Sequence, residues 1–347
     1  MPRTHLSSSS KTSSVRGPSP FLEPSIIRRF WNFMTRPSRS SASAGAASYR
    51  AIQEAEYRRL DESDDLHSPY SVLEAQKEEN ESRNRYRDVL PYEHSRLKLS
   101  NGGYINASLI PSYHEDPALP TYIATQGPLP NTSGHFWQLV VEQGTRIVIM
   151  LTPLSEGGRT KCHKYWPEAG QSQSYGDVHV ECTGEWNLPS TGNQNMNTLR
   201  VIKVKLGSGK EWDVYHLWST TWADHSALEP ADFLTLVAQV DALRTKPTAL
   251  VPTLPNLSST PATPLLLHCS AGVGRTGTFI SIHTAIEYLL RNKSKFGTEE
   301  ELVIDIVEWL RERRMLMVQT LDQFEMVNEV VMMSLKKIDR SRYFIQR

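Results

Sequence analysis

Residues Leu266–Thr278 read LLHCSAGVGRTGT. The apolar run from Pro264 to His268 has the continuity of a buried strand. Cys269 follows at once, then small residues and glycines, and beyond Arg275 the residues Phe279, Ile282, Ile286 and Leu289 recur at helical spacing. A buried strand that turns through small residues into a helix N-terminus aims several backbone N–H groups, and the positive end of the helix dipole, at one spot. Such a nest binds a tetrahedral oxyanion, and Arg275 adds a planar, bidentate donor suited to phosphate. The same field favours thiolate over thiol. The stretch therefore reads as a nucleophile touching a phosphate cradle. A nucleotide P-loop is excluded, because no lysine follows the glycine. A merely structural buried cysteine leaves the glycines, Arg275 and Thr276 at these offsets without a reason.

Outward from this turn the chain reads as α+β. Strand-like runs cover 104–110, 122–125 and 146–152, with a helix over 133–142 between the last two. Residues 175–218 alternate apolar and polar as a strand meander. Pro230 opens a helix to about Arg244, and 245–263, rich in Pro, Thr and Ser, reads as a flexible surface insertion. Helices over 298–313 and 321–336 end the domain. Strands in runs and helices in runs imply one domain over 68–340, a twisted mixed sheet flanked by helices.

Ordered sequence is expected to begin near Ser68, as the cap of a helix running through Val72, Leu73 and Ala75 to about Arg83. Residues 1–67 read as a disordered Ser/Arg-rich tail. The first fifty hold thirteen serines and eight Lys/Arg against one acid, a composition unable to bury a core. Within it the basic, aromatic island at 26–34 reads as an inert segment, with docking to a partner or a membrane surface as the alternative.

Composition narrows the function classes. The 38 basic and 38 acidic side chains cancel, which gives no reason to expect a nucleic-acid partner. Three cysteines, Cys162, Cys182 and Cys269, are too few for a disulfide framework and point to a reducing compartment, cytoplasmic or nuclear. No apolar run approaches the roughly 20 residues that span a bilayer, and the start lacks a signal-peptide hydrophobic region. The basic start is read as a tail in preference to a mitochondrial presequence.

The segment His268-Cys269-Ser270-Ala271-Gly272-Val273-Gly274-Arg275-Thr276-Gly277 closely resembles the signature of the cysteine-based protein tyrosine phosphatases. Cys-x5-Arg alone is shared with dual-specificity and lipid phosphatases. The stretch NRYRDVLPY at 84–92 resembles the phosphotyrosine-recognition loop of the tyrosine-specific class. YINAS at 104–108, YIATQGP at 122–128, KCHKYWP at 161–167 and QTLDQF at 319–324 resemble its further motifs. The resemblance covers about residues 70–335 in family order, and the non-receptor-type enzymes are its nearest form. It implies a hydrolase in signal transduction that dephosphorylates phosphotyrosine-containing proteins through a cysteinyl-phosphate, with no metal and no cofactor. The tail would be a place for partner docking.

Carried over by position, the resemblance implies that Cys269 attacks phosphorus. Arg275 and the amides of Ser270, Ala271, Gly272, Val273 and Gly274 would bind the phosphoryl oxygens. His268 would orient the turn, Thr276 would offer its hydroxyl to the departing thiolate, and Gln319 and Gln323 would position water. Glu156 would pair with Arg275, and Lys161 would border the substrate. Tyr86 would stack on the substrate ring and set a depth that favours phosphotyrosine. Asp88 would accept peptide N–H groups, and Arg87 would favour acidic flanks. The family's mobile loop reads Trp-Pro-Asp, whereas this chain has Trp222-Ala223-Asp224. Asp224 would be the general acid and Trp222 the hinge anchor, with Ala223 leaving the loop freer to open. The alternatives are a dual-specificity phosphatase and a pseudophosphatase that binds phosphotyrosine without turnover.

Overall fold

The computed structural model describes residues 44–189, 196–220, 222, 229–257, 262–292 and 299–345. Its strands are β1 (Ala107–Ile110), β2 (Tyr122–Thr125), β3 (Ile147–Met150), β4 (Ser155–Glu156), β5 (Arg159–Thr160), β6 (Ser172–Tyr175), β7 (Val178–Pro189), β8 (Met196–Leu206), β9 (Glu211–Trp218) and β10 (Leu265–His268). Eight of them form one sheet in the order β1-β2-β10-β3-β9-β8-β7-β6, while β4 and β5 make a separate hairpin. The helices are α1 (Ala44–Asp61), α2 (Glu78–Glu81), α3 (Ser133–Glu142), α4 (Pro230–Thr245), α5 (Gly274–Asn292), α6 (Glu299–Arg313) and α7 (Leu321–Ile345).

The centre of the sheet, β2-β10-β3-β9, is parallel, and the flanking pairs are antiparallel. Every residue of β2, β3 and β10 is buried, as strands covered on both faces must be. Ile123, Val148, Met150 and Leu266 join Phe136, Trp137, Leu139 and Val140 of α3 in one core. Tyr122 meets His283 of α5, and Phe233 of α4 meets Phe279 of α5. On β7, by contrast, Val178, Val180 and Cys182 are buried and the residues between them are not, the period of a strand with one covered face. Parallel register sets His268 opposite both Thr125 and Met150. The carboxyl ends of β2, β10 and β3 therefore open at one edge, where parallel sheets place their ligands.

Three expectations are corrected. The ordered chain starts well before Ser68: α1 begins at Ala44, and its Tyr49, Ile52 and Glu56 are buried. The buried stripe of α1 includes Glu56 and Arg59, charged types that read from sequence as solvated, so its inward face is masked. Residues 1–43, with the island at 26–34, lie outside the described residues. The expected helix over 68–83 is instead a series of turns with the single helical turn α2. Asn80 and Asn84 donate to the carbonyls of Glu74 and Ala75 (both 2.9 Å), local bonds that compete with a helix ladder. The described part of 245–263 is laid down on the domain: Leu254 and Leu257 are buried, and the Tyr215 hydroxyl donates to the Pro255 carbonyl. Among the described residues no helix is long and apolar enough to cross a membrane.

Candidate active site

Cys269 leaves the carboxyl end of β10 buried, with the amide of Gly272 3.3 Å from its sulfur. The turn Ser270 to Val273 runs straight into α5, so Gly274 and Arg275 are the first residues of that helix. Gly272 has φ +74°, and a Cβ there would lie 2.0 Å from the Thr125 carbonyl oxygen, so both backbone and space demand glycine. The turn is held from outside by the Gly127 amide donating to the Ser270 carbonyl (2.9 Å). Arg314, fully buried and absent from the sequence-derived set, donates to the carbonyls of Gly272 (2.9 Å) and Ala271 (3.1 Å). Burial lowers its guanidinium to about 10. One buried guanidinium thus holds two successive carbonyls of the turn, whose Gly272 amide points at the Cys269 sulfur.

Arg275 is buried and its reach is set by three acceptors. Nη1 donates to Thr152 Oγ1 (3.0 Å) and to the Leu151 carbonyl (3.3 Å), and Nη2 donates to Glu156 Oε2 (2.9 Å). Glu156, on β4, thus stands beside Arg275 as expected. The Thr276 hydroxyl is buried and has no hydrogen-bond partner among the described residues.

A neutral chain supports the other side of the turn. His268 Nδ1 must donate to the Cys269 carbonyl (3.0 Å), so its Nε2 accepts from Tyr165 Oη (2.6 Å). The tyrosine oxygen in turn accepts from His216 Nε2 (2.8 Å). Burial pushes His268 down to about 4 and His216 well below the ordinary range. Tyr165 lies in the KCHKYWP stretch but was assigned no role there, and His216 carried no mark in the sequence that separates it from a core residue. Burial pushes the nearby Cys162 thiol up to about 12, an inert protonated side chain.

A second turn, Met315–Gln319, meets the first. The Val318 amide donates to the Val273 carbonyl (3.2 Å), and a Cβ on Gly277 would lie 2.4 Å from that same amide nitrogen. Gln323 is buried, accepts from the Gln319 amide (2.9 Å), and its amide end lies 3.0 Å from where a Cβ on Gly274 would stand. Gln319 Oε1 is 3.4 Å from the same point, so both glutamines face the first turn of α5. Leu316 and Val318 have φ of +62° and +58°, conformations that cost a branched residue about 1–3 kcal/mol each.

At the rim, Ser270 Oγ donates to the Lys161 carbonyl (2.7 Å), so the Tyr86 hydroxyl donates to Ser270 Oγ (2.8 Å). Tyr86 is thereby tied to the cradle, and Lys161 borders it. Arg85 braces this loop on the carbonyls of Gly127 (2.9 Å) and Pro128 (2.8 Å). Asp88 is half-buried, with its carboxyl raised by that burial. Arg87 is exposed and pairs with Glu81 at 3.2 Å. Trp222 is buried edge-on against Phe233. Ala223 and Asp224 lie outside the described residues. Elsewhere the ligand atoms of Asp241, His283 and Glu287 lie within 4.8 Å of one another. Arg244 pairs with Asp241 there (3.2 Å), Arg291 pairs with Glu287 (2.9 Å), and both His283 ring nitrogens have partners.

The model of the protein-tyrosine phosphatase family matches residues 80–333. The chain belongs to that family. It is 40% identical over 262 residues to human receptor-type tyrosine-protein phosphatase eta, an alignment covering 73% of this chain and 17% of that protein. To human tyrosine-protein phosphatase non-receptor type 14 it is 38% identical over 274 residues, covering 74% of this chain and 21% of that protein. The chain thus spans about a fifth of the length of these curated relatives. The solved catalytic domain of human protein tyrosine phosphatase non-receptor type 18 superposes with a TM-score of 0.67 at 29% identity, covering 83% of this chain and 94% of that one. A structure of the same phosphatase with HER2 phosphopeptides gives 0.69 at 29% identity, covering 84% and 100%. The non-receptor-type enzymes to which the signature pointed are therefore among the relatives, and the α+β fold with a mixed sheet is theirs.

Proposed function

We propose that this protein hydrolyses phosphotyrosine in proteins through a cysteinyl-phosphate. The observation that carries the reading is the juxtaposition of Cys269 Sγ, the Gly272 amide at 3.3 Å and the α5 N-terminus bearing Arg275. In the first step the thiolate sulfur bonds to phosphorus as the bond to the tyrosine oxygen breaks. Asp224 gives that oxygen its proton. The Ser270–Gly274 amides and Arg275 take up the charge that builds on the phosphoryl oxygens, the kind of term usually largest in catalysis. In the second step a water oriented by Gln319 and Gln323 attacks phosphorus, one of its protons passes to Asp224, and the sulfur leaves with the bonding pair. The Thr276 hydroxyl donates to that departing thiolate, and inorganic phosphate is released.

Neutral His268 holds the Cys269 carbonyl so that the strand end keeps its direction. Glu156 keeps Arg275 aimed without taking over its donors to phosphate. Tyr86, tied to Ser270, lines a slot whose depth lets a phosphotyrosine reach the sulfur and leaves phosphoserine short of it. The phosphopeptide-bound relative supports a phosphotyrosine ligand for this slot. Turnover of a phosphotyrosine peptide by the wild type, with a fall of about 10³-fold or more in Cys269→Ser, is the expected result. Equal, negligible rates for the two would leave a phosphotyrosine-binding module. Equal rates on a phosphoserine peptide would overturn the slot reading.

A further inference from the structure

The turn that carries Gln319 is gripped from α1, a helix that ends before residue 80, where the family match begins. Tyr49 Oη donates to the Gln319 carbonyl at 2.6 Å. Glu56, fully buried, accepts at Oε1 from the Leu316 amide (3.1 Å) and from the Tyr92 hydroxyl (3.2 Å). Tyr92 closes the loop that bears Tyr86 and Asp88, so one carboxylate joins the two loops flanking the cradle. Arg311 completes the grip: Nε donates to the Met317 carbonyl and Nη2 to the Val318 carbonyl, both at 2.8 Å, and Nε lies 3.8 Å from Glu56 Oε2. The Tyr49 ring also packs on Phe324, next to Gln323, with centroids 5.6 Å apart. The segment so held contains Leu316 and Val318 with left-handed backbone, a conformation that persists only where surrounding contacts impose it.

We propose that α1 is a positioning element for the hydrolysis half of the reaction, with Tyr49 and Glu56 fixing the turn that presents Gln319 to water. The inference rests on the reading of Gln319 given above. Attack of Cys269 on substrate draws on the cradle and Arg275, which α1 does not touch through these bonds. Attack of water on the cysteinyl-phosphate draws on Gln319, whose own peptide carbonyl is the Tyr49 acceptor. Loosening the Tyr49 bond, which reaches only the Gln319 turn, therefore slows the second step and spares the first.

The test is rapid mixing of the full chain with p-nitrophenyl phosphate, comparing wild type, Tyr49→Phe and Gln319→Ala. For Tyr49→Phe the first-turnover release of p-nitrophenol stays within about twofold of wild type, which also shows that the variant is folded. Its steady-state rate falls about fivefold, the loss expected from one neutral hydrogen bond, and its burst rises towards one p-nitrophenol per enzyme. A fall in both phases together, or no change in either, overturns the proposal. Gln319→Ala separates the two readings. If it slows the second step and Tyr49→Phe does not, the role of α1 is wrong; if Gln319→Ala leaves the second step intact, the role of Gln319 is wrong and the proposal falls with it.

Discussion

The turn Ser270–Gly274 and the turn Met315–Gln319 touch through Val273 and Val318, yet they reach left-handed backbone by different means. The first uses Gly272, which has no Cβ to offend the Thr125 carbonyl, so its positive φ comes from its own residue type even though Gly127 and Arg314 hold it from outside. The second puts Leu316 and Val318 at positive φ and is held there by Glu56 and Arg311, from elements distant in sequence or on its far side. One turn is built into the chain locally. The other exists only when the helices around it are assembled.

Gly272→Ala is expected to have the largest effect. With Cβ forced to within 2.0 Å of a backbone oxygen that cannot retreat, the turn must shift. The expected cost is about 3 kcal/mol or more of stability, and displacement of the cradle by ~1 Å lowers turnover about 10²-fold or more. Denaturant melts and phosphopeptide turnover check this; a fully active, stable variant would mean that the turn does not need its glycine.

Acid offers a second, smaller lever, because the strand side of the first turn is braced by histidines kept neutral. His268 sits at about 4 in the fold against about 6.5 in the unfolded chain. Above pH ~6.5 neither state binds the proton and stability is at its full value. As pH falls towards 4 the unfolded chain takes up a proton that the fold refuses, so stability declines, by up to about 3 kcal/mol from this residue. His268→Asn should flatten that part of the stability–pH curve, measured by chemical denaturation; an unchanged slope would place the acid sensitivity elsewhere.

The smallest expected effect is at the second turn. Val318→Gly removes a fully buried side chain, worth about 1.5–3 kcal/mol, and relieves left-handed strain of about 1–3 kcal/mol. The two nearly cancel, so guanidinium melts should place the variant within about 1 kcal/mol of wild type. A loss of about 1.5–3 kcal/mol, the burial term with nothing set against it, would show that the backbone of this turn carries no strain.

The sequence by itself determined the parts whose chemistry is contiguous. A four-residue buried strand, a glycine-bearing turn and a helix N-terminus dictate one another through the local backbone, so the run from β10 through Cys269 to Arg275 was legible, whereas the parallel pairing of β10 with β2 and β3 was not. Tyr86, Gln319 and Gln323 were legible through resemblance, and the structure sets them against the same turn. Only the tertiary structure decided what holds those parts in place: Arg314 behind the cradle, the His268–Tyr165–His216 chain, and Glu56 with Tyr49 on a helix that reads as tail. Each is a buried polar or charged group whose partners lie tens to hundreds of residues away. Nothing in the spacing of such a residue distinguishes it from one facing water. Its cost of burial is offset only by hydrogen bonds that exist once the fold has brought those partners within 3 Å or so.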